Sequence, residues 1–478
     1  MAGRRRAAAV TLSAAVVLAG TLGYAAADVY DLAPGPLTVS ERLTPAPPFP
    51  EAPGAGLPDP ATLPADVPAP VDTDAPLPDA AVLTSVVRPL LADPALGASV
   101  SASVVDALTG QVLVDASADT PREPASVAKL LTGVAALHRL GPDHTVDTRA
   151  VRGVSPDEVV LLAGGDVLLA AGTGDPAAAN GRAGLADLAD QTAAALLAEG
   201  RPGDQAVAVR VDDSLFTGPR MGPGWTQADV AAGFVAPVTA VAVNAGRTTD
   251  ARYAPRVADP ALSAAATFAA LLGERGVTVA GDPVRAIAPR DSPTLGTVTS
   301  APLANVVTYM LGSSDNNVAE ALARLVAADI GRPTTFADSA RAVLDEVAML
   351  GTTTAGASLA DGSGLADGSV LPASLLTEVL VLAAADEHPE LRPLLTGLPV
   401  AALSGTLSDR FGAEAGAAGL VRAKTGSLTG VTSLAGTVQD ADGRLLAFAV
   451  MADAVPATDP AREAADAVAA ALVTCGCR

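Results

Sequence analysis

The sequence predicts a mixed α/β fold of the α+β kind: an antiparallel sheet with flanking helices, and a helical cluster beside it. Three observations lead there. Strand pairs with turn residues between them lie near both ends of the chain, at 98–115 and 432–451, so the two ends share one sheet. Alanine-rich segments with helical apolar spacing follow the first pair and precede the second. Residues 146–294 mix strands and helices in a block of their own, which reads as an insertion.

Composition narrows the function. The 478 residues leave room for two or three domains. Half are apolar and only 3% aromatic, so the core is filled by Ala, Val and Leu. A net charge of -22 argues against nucleic acid as a partner, because phosphate backbones select basic surfaces.

The chain opens with Arg4, Arg5 and Arg6, then an apolar run to about Ala27. Residues 1–27 read as a signal peptide or a signal anchor, with Ala25-Ala26-Ala27 as a place to cut. An uncleaved anchor would leave a membrane contact, and either form puts the rest of the chain outside the cytoplasm, in the cell envelope. Residues 28–78 are rich in Pro, Ala and Asp and read as an arm or stalk.

The first catalytic part is expected over 79–145. A helix runs to Leu91 and a hairpin follows over 98–106 and 111–115. Then comes Pro124-Ala125-Ser126-Val127-Ala128-Lys129, running into a helix with Leu130, Leu131, Val134, Leu137 and Leu140 on its apolar face. Three positions apart on a helix, Ser126 and Lys129 share a face.

Within 146–294, strands are expected at 159–162, 206–211, 239–243 and 277–279, and helices at 185–197 and 261–272. Phe216, Trp225, Phe234 and Tyr253 read as packing residues. The second catalytic part, 295–452, has helices at 303–311, 318–330 and 371–384, the last with Pro372 in its first turn. Ser314 and Asn316 precede the second of these and suit an N-cap cluster. A strand carries Lys424-Thr425-Gly426-Ser427, and the hairpin 432–439 and 444–451 turns at Asp440–Gly443. Residues 453–478 hold a last helix and a tail with Cys475 and Cys477. Two positions apart, these are awkward for a disulfide and too few for a metal.

Chemistry is concentrated by the lysine census. Of 30 lysines and arginines only Lys129 and Lys424 are lysine. Arginine keeps its proton, whereas a desolvated lysine can give it up. Both lysines fall in hydroxyl-bearing motifs. The histidines, His138, His144 and His388, suit ordinary structural roles, so neither a serine-histidine-acid triad nor a zinc site is expected. No cofactor is expected. Lys129 is the natural base.

Ser126-x-x-Lys129, Ser314-Asp315-Asn316 and Lys424-Thr425-Gly426, in that order, resemble the signature of penicillin-binding proteins and class A β-lactamases. The chain is most similar to the class C low-molecular-mass penicillin-binding proteins, the D-alanyl-D-alanine carboxypeptidase/endopeptidase family. Gly164-Gly165-Asp166, Asp213-Ser214-Leu215-Phe216, Asp361-Gly362-Ser363-Gly364-Leu365 and Gly405-Thr406-Leu407 with Arg410 extend the resemblance over roughly 80–452. Val167 stands where the family often has proline.

The resemblance implies a serine β-lactamase/transpeptidase-like fold with an inserted domain between the first and second motifs. It implies a peptidoglycan stem peptide ending in D-Ala-D-Ala as substrate and β-lactams as covalent inhibitors. Ser126 would attack, Lys129 would take its proton and Ser314 would relay one to the leaving amine. Asn316 would hold a substrate amide, and Lys424 and Thr425 the terminal carboxylate. The N–H groups of Ser126 and Ser427 would form the oxyanion hole. A β-lactamase of the same superfamily and a catalytically idle wall-binding protein are the alternatives. Rapid β-lactam turnover would mark the first and failure to form any adduct the second.

Overall fold

The computed structural model describes Thr21, Tyr24 and residues 73–199, 205–412 and 415–477. The expected leader over 1–27, Thr21 and Tyr24 apart, and most of the arm lie outside these residues. Among the described residues no helix is long and apolar enough to cross a membrane.

Helix α1 (Ala80–Leu91) starts where the Asp79 side chain accepts from the N–H groups of Ala81 and Val82. Strands β1 (Val100–Asp106) and β2 (Val112–Ala116) form the first hairpin. A 3₁₀ turn over Ala125–Ala128 leads into α2 (Lys129–Leu140). Ser126 therefore sits one tight turn ahead of the regular helix, which begins only at Lys129. Ala125, at φ 47°, makes the sharp bend from which this turn starts.

The chain then leaves for a second sheet. Its elements are β3 (Asp147–Arg152), β4 (Glu158–Leu162), α3 (Leu185–Ala198), β5 (Ala208–Asp212), α4 (Gln227–Ala231), α5 (Pro260–Glu274), β6 (Val284–Arg285) and β7 (Thr294–Thr299). The sheet order is β6-β5-β4-β3-β7. The first and last strands of the segment pair, with Asp147 opposite Thr299, so the chain leaves and re-enters at one place. Leu161, Leu188, Val209 and Phe268 fill a core of its own between this sheet and helices α3 and α5.

Two expected strands are corrected here. Residues 239–243 join neither sheet; Val243 makes one isolated bridge, to Leu169, and the segment lies along the Gly165–Leu169 loop, exchanging backbone bonds with Gly165, Asp166 and Leu169. Their neighbour is an irregular loop, so no regular ladder forms. Residues 277–279 make only an isolated bridge, Val207 to Val279, and the sheet edge falls to β6 instead.

The return passes through α6 (Leu303–Ser313), α7 (Asn316–Asp329), α8 (Phe336–Met349), α9 (Ala373–Ala384) and α10 (Arg392–Thr396). Pro372 caps α9 from outside rather than occupying its first turn. Every residue from Lys129 to Leu137 of α2 and from Asn316 to Arg324 of α7 is buried, so these helices form the centre of the cluster. Gly133 lets α10 approach α2 closely: a Cβ there would lie 2.8 Å from Leu394 Cδ1.

Strands β8 (Val421–Leu428), β9 (Val431–Gln439) and β10 (Leu445–Ala452) and helix α11 (Thr458–Thr474) close the fold. The main sheet has the order β2-β1-β10-β9-β8, antiparallel throughout, with Val100 opposite Ala452 and Val421 opposite Val438. Both ends of the described chain thus share one sheet. Helices α1 and α11 cover one face, around Leu83, Phe448 and Leu472. The helical cluster, through α9, covers the other, around Ala447, Ala449 and Met451. Strand β8 is an edge strand, bridged on its outer side at Arg422 by Val400, and runs beside the Ser126 turn.

One further correction concerns the tail. Cys475 and Cys477 form a disulfide, with Cα atoms 5.0 Å apart. Gly476 between them has room and freedom to bend, and 5.0 Å lies within the span a disulfide bridges.

Candidate active site

Three elements converge on Ser126: its own 3₁₀ turn, the α6–α7 junction and strand β8. Glycine allows the last approach. A Cβ on Gly426 would lie 2.1 Å from Ser433 Oγ and 2.6 Å from the Pro124 carbonyl oxygen. The Ser433 hydroxyl donates to that carbonyl at 2.6 Å and pins the turn to the sheet.

Lys129 is completely buried. Its Nζ donates to Ser126 Oγ (2.9 Å), Asn316 Oδ1 (2.7 Å) and the Ser363 carbonyl (2.7 Å). These acceptors use all three donors of an ammonium. Burial pushes the amine down to about 8, against the pull of Asp361, Asp315 and Glu320. A group poised there can accept a proton near neutral pH, and the nearest hydroxyl is that of Ser126. Desolvation is the main cause.

Lys424 is also fully buried and donates to Ser314 Oγ (2.9 Å) and the Thr425 carbonyl (2.6 Å). Burial, then the charges of Lys129, Arg252 and Arg410, hold its amine well below the usual lysine value. The two lysines therefore face a hydroxyl each, Ser126 and Ser314.

Ser314 is held in the left-handed conformation, φ 57° and ψ 35°, at the end of α6. Such a conformation is costly for a residue with a Cβ, and it aims the hydroxyl between the helices at Lys424. The helix cap is supplied by Asp315, not Ser314: Asp315 Oδ1 accepts from the Val318 N–H at 3.0 Å. Asn316 opens α7, accepts from Lys129 at its Oδ1 and donates from its Nδ2 to the Phe234 carbonyl at 2.9 Å.

Several further residues, to which the motifs assign no role, support the site. Arg247 and Arg256 both pair with Asp315 Oδ2. Burial raises the Asp315 carboxyl, but the two guanidinium groups outweigh it and hold it below the usual range. Asn317 exchanges two hydrogen bonds with the Ala236 backbone, at 2.7 and 2.8 Å. Asp361 accepts from the N–H groups of Ser363, Gly364 and Ala366 and from Trp225 Nε1, shaping the loop whose carbonyl meets Lys129. Glu320 is buried and accepts from the Gly362 N–H; desolvation and Asp361 push it up to about 8.

These groups open onto a cleft of about 1320 Å³ that includes Ser126, Ser314, Asn316, Thr425 and Ser427. Thr425 Oγ1 donates to Thr406 Oγ1 at 2.8 Å. Among the four aromatic residues read as packing, Trp225 and Phe216 do pack, around Phe336. Phe234 and Tyr253 do not: they meet edge to face at 5.8 Å and line the cleft, 44% and 58% exposed. The histidines stand apart, His138 on Glu346 and His388 on Glu390. Among the described residues no group of His, Cys, Asp and Glu could hold a metal.

Comparison with known proteins gives the arrangement its relatives. The model of the D-Ala-D-Ala carboxypeptidase 3 (S13) family matches residues 83–253 and 249–474. The carboxypeptidase DacB of Mycolicibacterium smegmatis is 40% identical over 92% of this chain and 91% of its own length. A D-alanyl-D-alanine carboxypeptidase of Actinomadura is 30% identical over 76% and 79%. The crystal structure of penicillin binding protein 4 from Haemophilus influenzae superposes with a TM-score of 0.62, covering 82% of this chain and 98% of that one at 22% identity, a likeness of fold.

Proposed function

The chain belongs to the D-Ala-D-Ala carboxypeptidase 3 (S13) family, a penicillin-binding serine carboxypeptidase of peptidoglycan, and from that premise we propose how its residues divide the work. The observation that carries the reading is the buried Lys129 amine 2.9 Å from Ser126 Oγ.

Ser126 attacks the carbonyl carbon of the penultimate D-Ala of a stem peptide. Its proton passes to Lys129, neutral at that moment. The oxyanion forms against the N–H groups of Ser126 and Ser427. The C–N bond then breaks, and the leaving amine takes a proton through Ser314, which Lys424 touches. Terminal D-Ala departs, leaving an ester on Ser126. Water attacks that ester, its proton passes to the base, and Ser126 is freed. Asn316 holds Lys129 in place and borders the acyl strand. Thr425 and Ser427 present hydroxyls to the terminal carboxylate, with the Lys424 amine beneath them and Gly426 allowing the close approach. A cross-linked stem peptide is cut by the same steps with a bulkier leaving amine. A β-lactam acylates Ser126 and leaves slowly.

We read the block expected at 146–294 as an inserted domain that runs on to Thr299, because β7 belongs to its sheet. The pairing of β3 with β7 supports this, because removal of the segment would leave chain ends side by side. We place the enzyme outside the cytoplasm, from Arg4–Arg6 and the apolar run after them. The Cys475–Cys477 disulfide suits an oxidising compartment.

The test is intact mass of the chain from Asp28 onward after incubation with benzylpenicillin, with S126A in parallel. A one-to-one adduct on the wild type, absent from S126A, and D-Ala release from a D-Ala-D-Ala peptide are expected. An adduct on S126A would remove Ser126 from the role. Rapid penicillin consumption without a lasting adduct would replace the carboxypeptidase reading by a β-lactamase.

A further inference from the structure

A substrate ending in a free carboxylate needs a cation that the carboxylate can touch. Lys424 is not placed for direct contact: it is fully buried, and its amine is directed to Ser314 Oγ and the Thr425 carbonyl. It is not among the residues that line the cleft, whereas the hydroxyl-bearing Thr425 and Ser427 of the same strand are.

Five arginines do line the cleft. Arg247 and Arg256 are committed to Asp315. Arg410 makes two bonds to Asp466, at 2.6 and 3.1 Å. Arg252 lies over the Tyr253 ring, 5.1 Å from its centroid. Arg462 differs from all four. It projects from α11 onto the catalytic strand, and its Nε meets Ser427 Oγ at 3.2 Å. Its only ion pair among the described residues, Nη1 to Asp459 at 3.1 Å, is an exposed one, with side-chain exposures of 40% and 84%. Such a pair is weak and easily exchanged for another carboxylate.

We propose that Arg462 is a specificity-determining residue of this enzyme, which receives the terminal carboxylate of the leaving D-Ala together with the hydroxyls of Ser427 and Thr425, Asp459 holding its place in the empty enzyme. This rests on the carboxypeptidase reading. The chemistry fits: a guanidinium stays charged at every working pH and offers a planar fork matched to a carboxylate. The two hydroxyls lie two residues apart on one strand and therefore share a face of β8. Lys424, with its amine held low by burial, is free to serve the proton transfer at Ser314 instead.

The experiment compares an N-acylated peptide ending in D-Ala-D-Ala with the same peptide capped as its C-terminal amide. Cleavage of both is measured for wild type, R462Q, R462K and D459N. In the wild type the free acid is preferred. In R462Q that preference falls roughly 10- to 100-fold, because a charge-assisted bond is lost, while the amide is cleaved as before. R462K keeps part of the preference. D459N lowers KM for the acid, since a competing carboxylate is gone. An unchanged acid-to-amide ratio in R462Q overturns the proposal, and so does an equal loss on both substrates, which would mark general damage. A wild type that cleaves neither peptide and takes up no penicillin overturns the carboxypeptidase reading itself.

Discussion

Arg256 brings its Nη2 to 3.1 Å from Asp315 Oδ2, joining the loop before α5 to the residue between Ser314 and Asn316. Both side chains are buried, 2% and 0% exposed, and Arg247 meets the same oxygen. Arg256 is itself fixed by the carbonyls of Gly233 and Ala245. The 233–256 segment thus holds Asp315 from its side chain, Asn316 through Phe234 and Asn317 through Ala236. The second motif is a surface of this segment as much as of helix α7.

D315A removes one partner from two buried cations and uncaps α7. A loss of about 3–5 kcal/mol is expected from the unpaired charges, with about 1 kcal/mol more from the cap. Thermal unfolding measures the first effect. The acylation rate measures the second consequence, since Ser314 and Asn316 lose the residue that fixes them. D315N, which keeps a cap, should recover part of the stability but little of the charge pairing. Equal melting temperatures for D315A and wild type would refute the anchoring role.

Lys129 predicts a pH profile. Its amine is pushed down to about 8, and only the neutral form accepts the Ser126 proton. Raising pH empties the amine of its proton, so kcat/KM should climb about tenfold per pH unit below 8 and level off above it. K129R keeps a cation but cannot deprotonate. It should acylate with penicillin slower by about 10²–10⁴-fold at every pH, without the climb. A flat wild-type profile from pH 6 to 9 would take the base role away from Lys129.

Gly426 tests the contact between β8 and the nucleophile's turn. An added Cβ would meet Ser433 Oγ at 2.1 Å and the Pro124 carbonyl at 2.6 Å. G426A must therefore push the strand away from the Ser126 turn, at about 1–3 kcal/mol of overpacking. The same displacement widens the gap between the Ser126 and Ser427 N–H groups. Penicillin acylation should slow by more than the lost stability explains, and stopped-flow labelling at a temperature where the variant is fully folded separates the two effects.

The parts of this site that could be read from the sequence are those set by short spacing. Ser126 and Lys129 meet because three residues make one turn, and the two end hairpins follow from alternation and their turns. Arg247 and Arg256 carry no such signal: they reach Asp315 across 68 and 59 positions, and nothing local marks an arginine as buried. Phe234 and the Ser363 loop act through backbone carbonyls, which any residue possesses. Helix α8 was not anticipated, although Thr335 caps it and Asp338 stands at its third position. Strand β7 is an edge strand whose partner, β3, lies some 143–152 positions earlier, so nothing local marks it; β3 does have a local partner in β4, with Arg152 opposite Val159, but its Asp-Thr-Arg-Ala-Val-Arg run is a weak strand signal.

The disulfide gives the last prediction, one of stability without activity. Cys475 and Cys477 are both buried, 5% and 7% exposed, in the layer that α1 and α11 form on the outer face of the sheet. The Cys477 carbonyl accepts from the Asp79 N–H at 2.6 Å, tying the tail to the start of α1. Closing so short a loop removes little freedom from the unfolded chain, so C475S/C477S should cost only roughly 1–2 kcal/mol by the entropy account. That corresponds to a fall of about 1–4 °C in melting temperature for a chain of this size. Among the described residues no hydrogen bond joins Cys475 or Cys477 to Ser126, Lys129 or β8, so kcat and penicillin acylation should be unchanged. A variant that melts normally but acylates slowly would mean that the tail reaches the catalytic strand through α11, the helix that also carries Arg462.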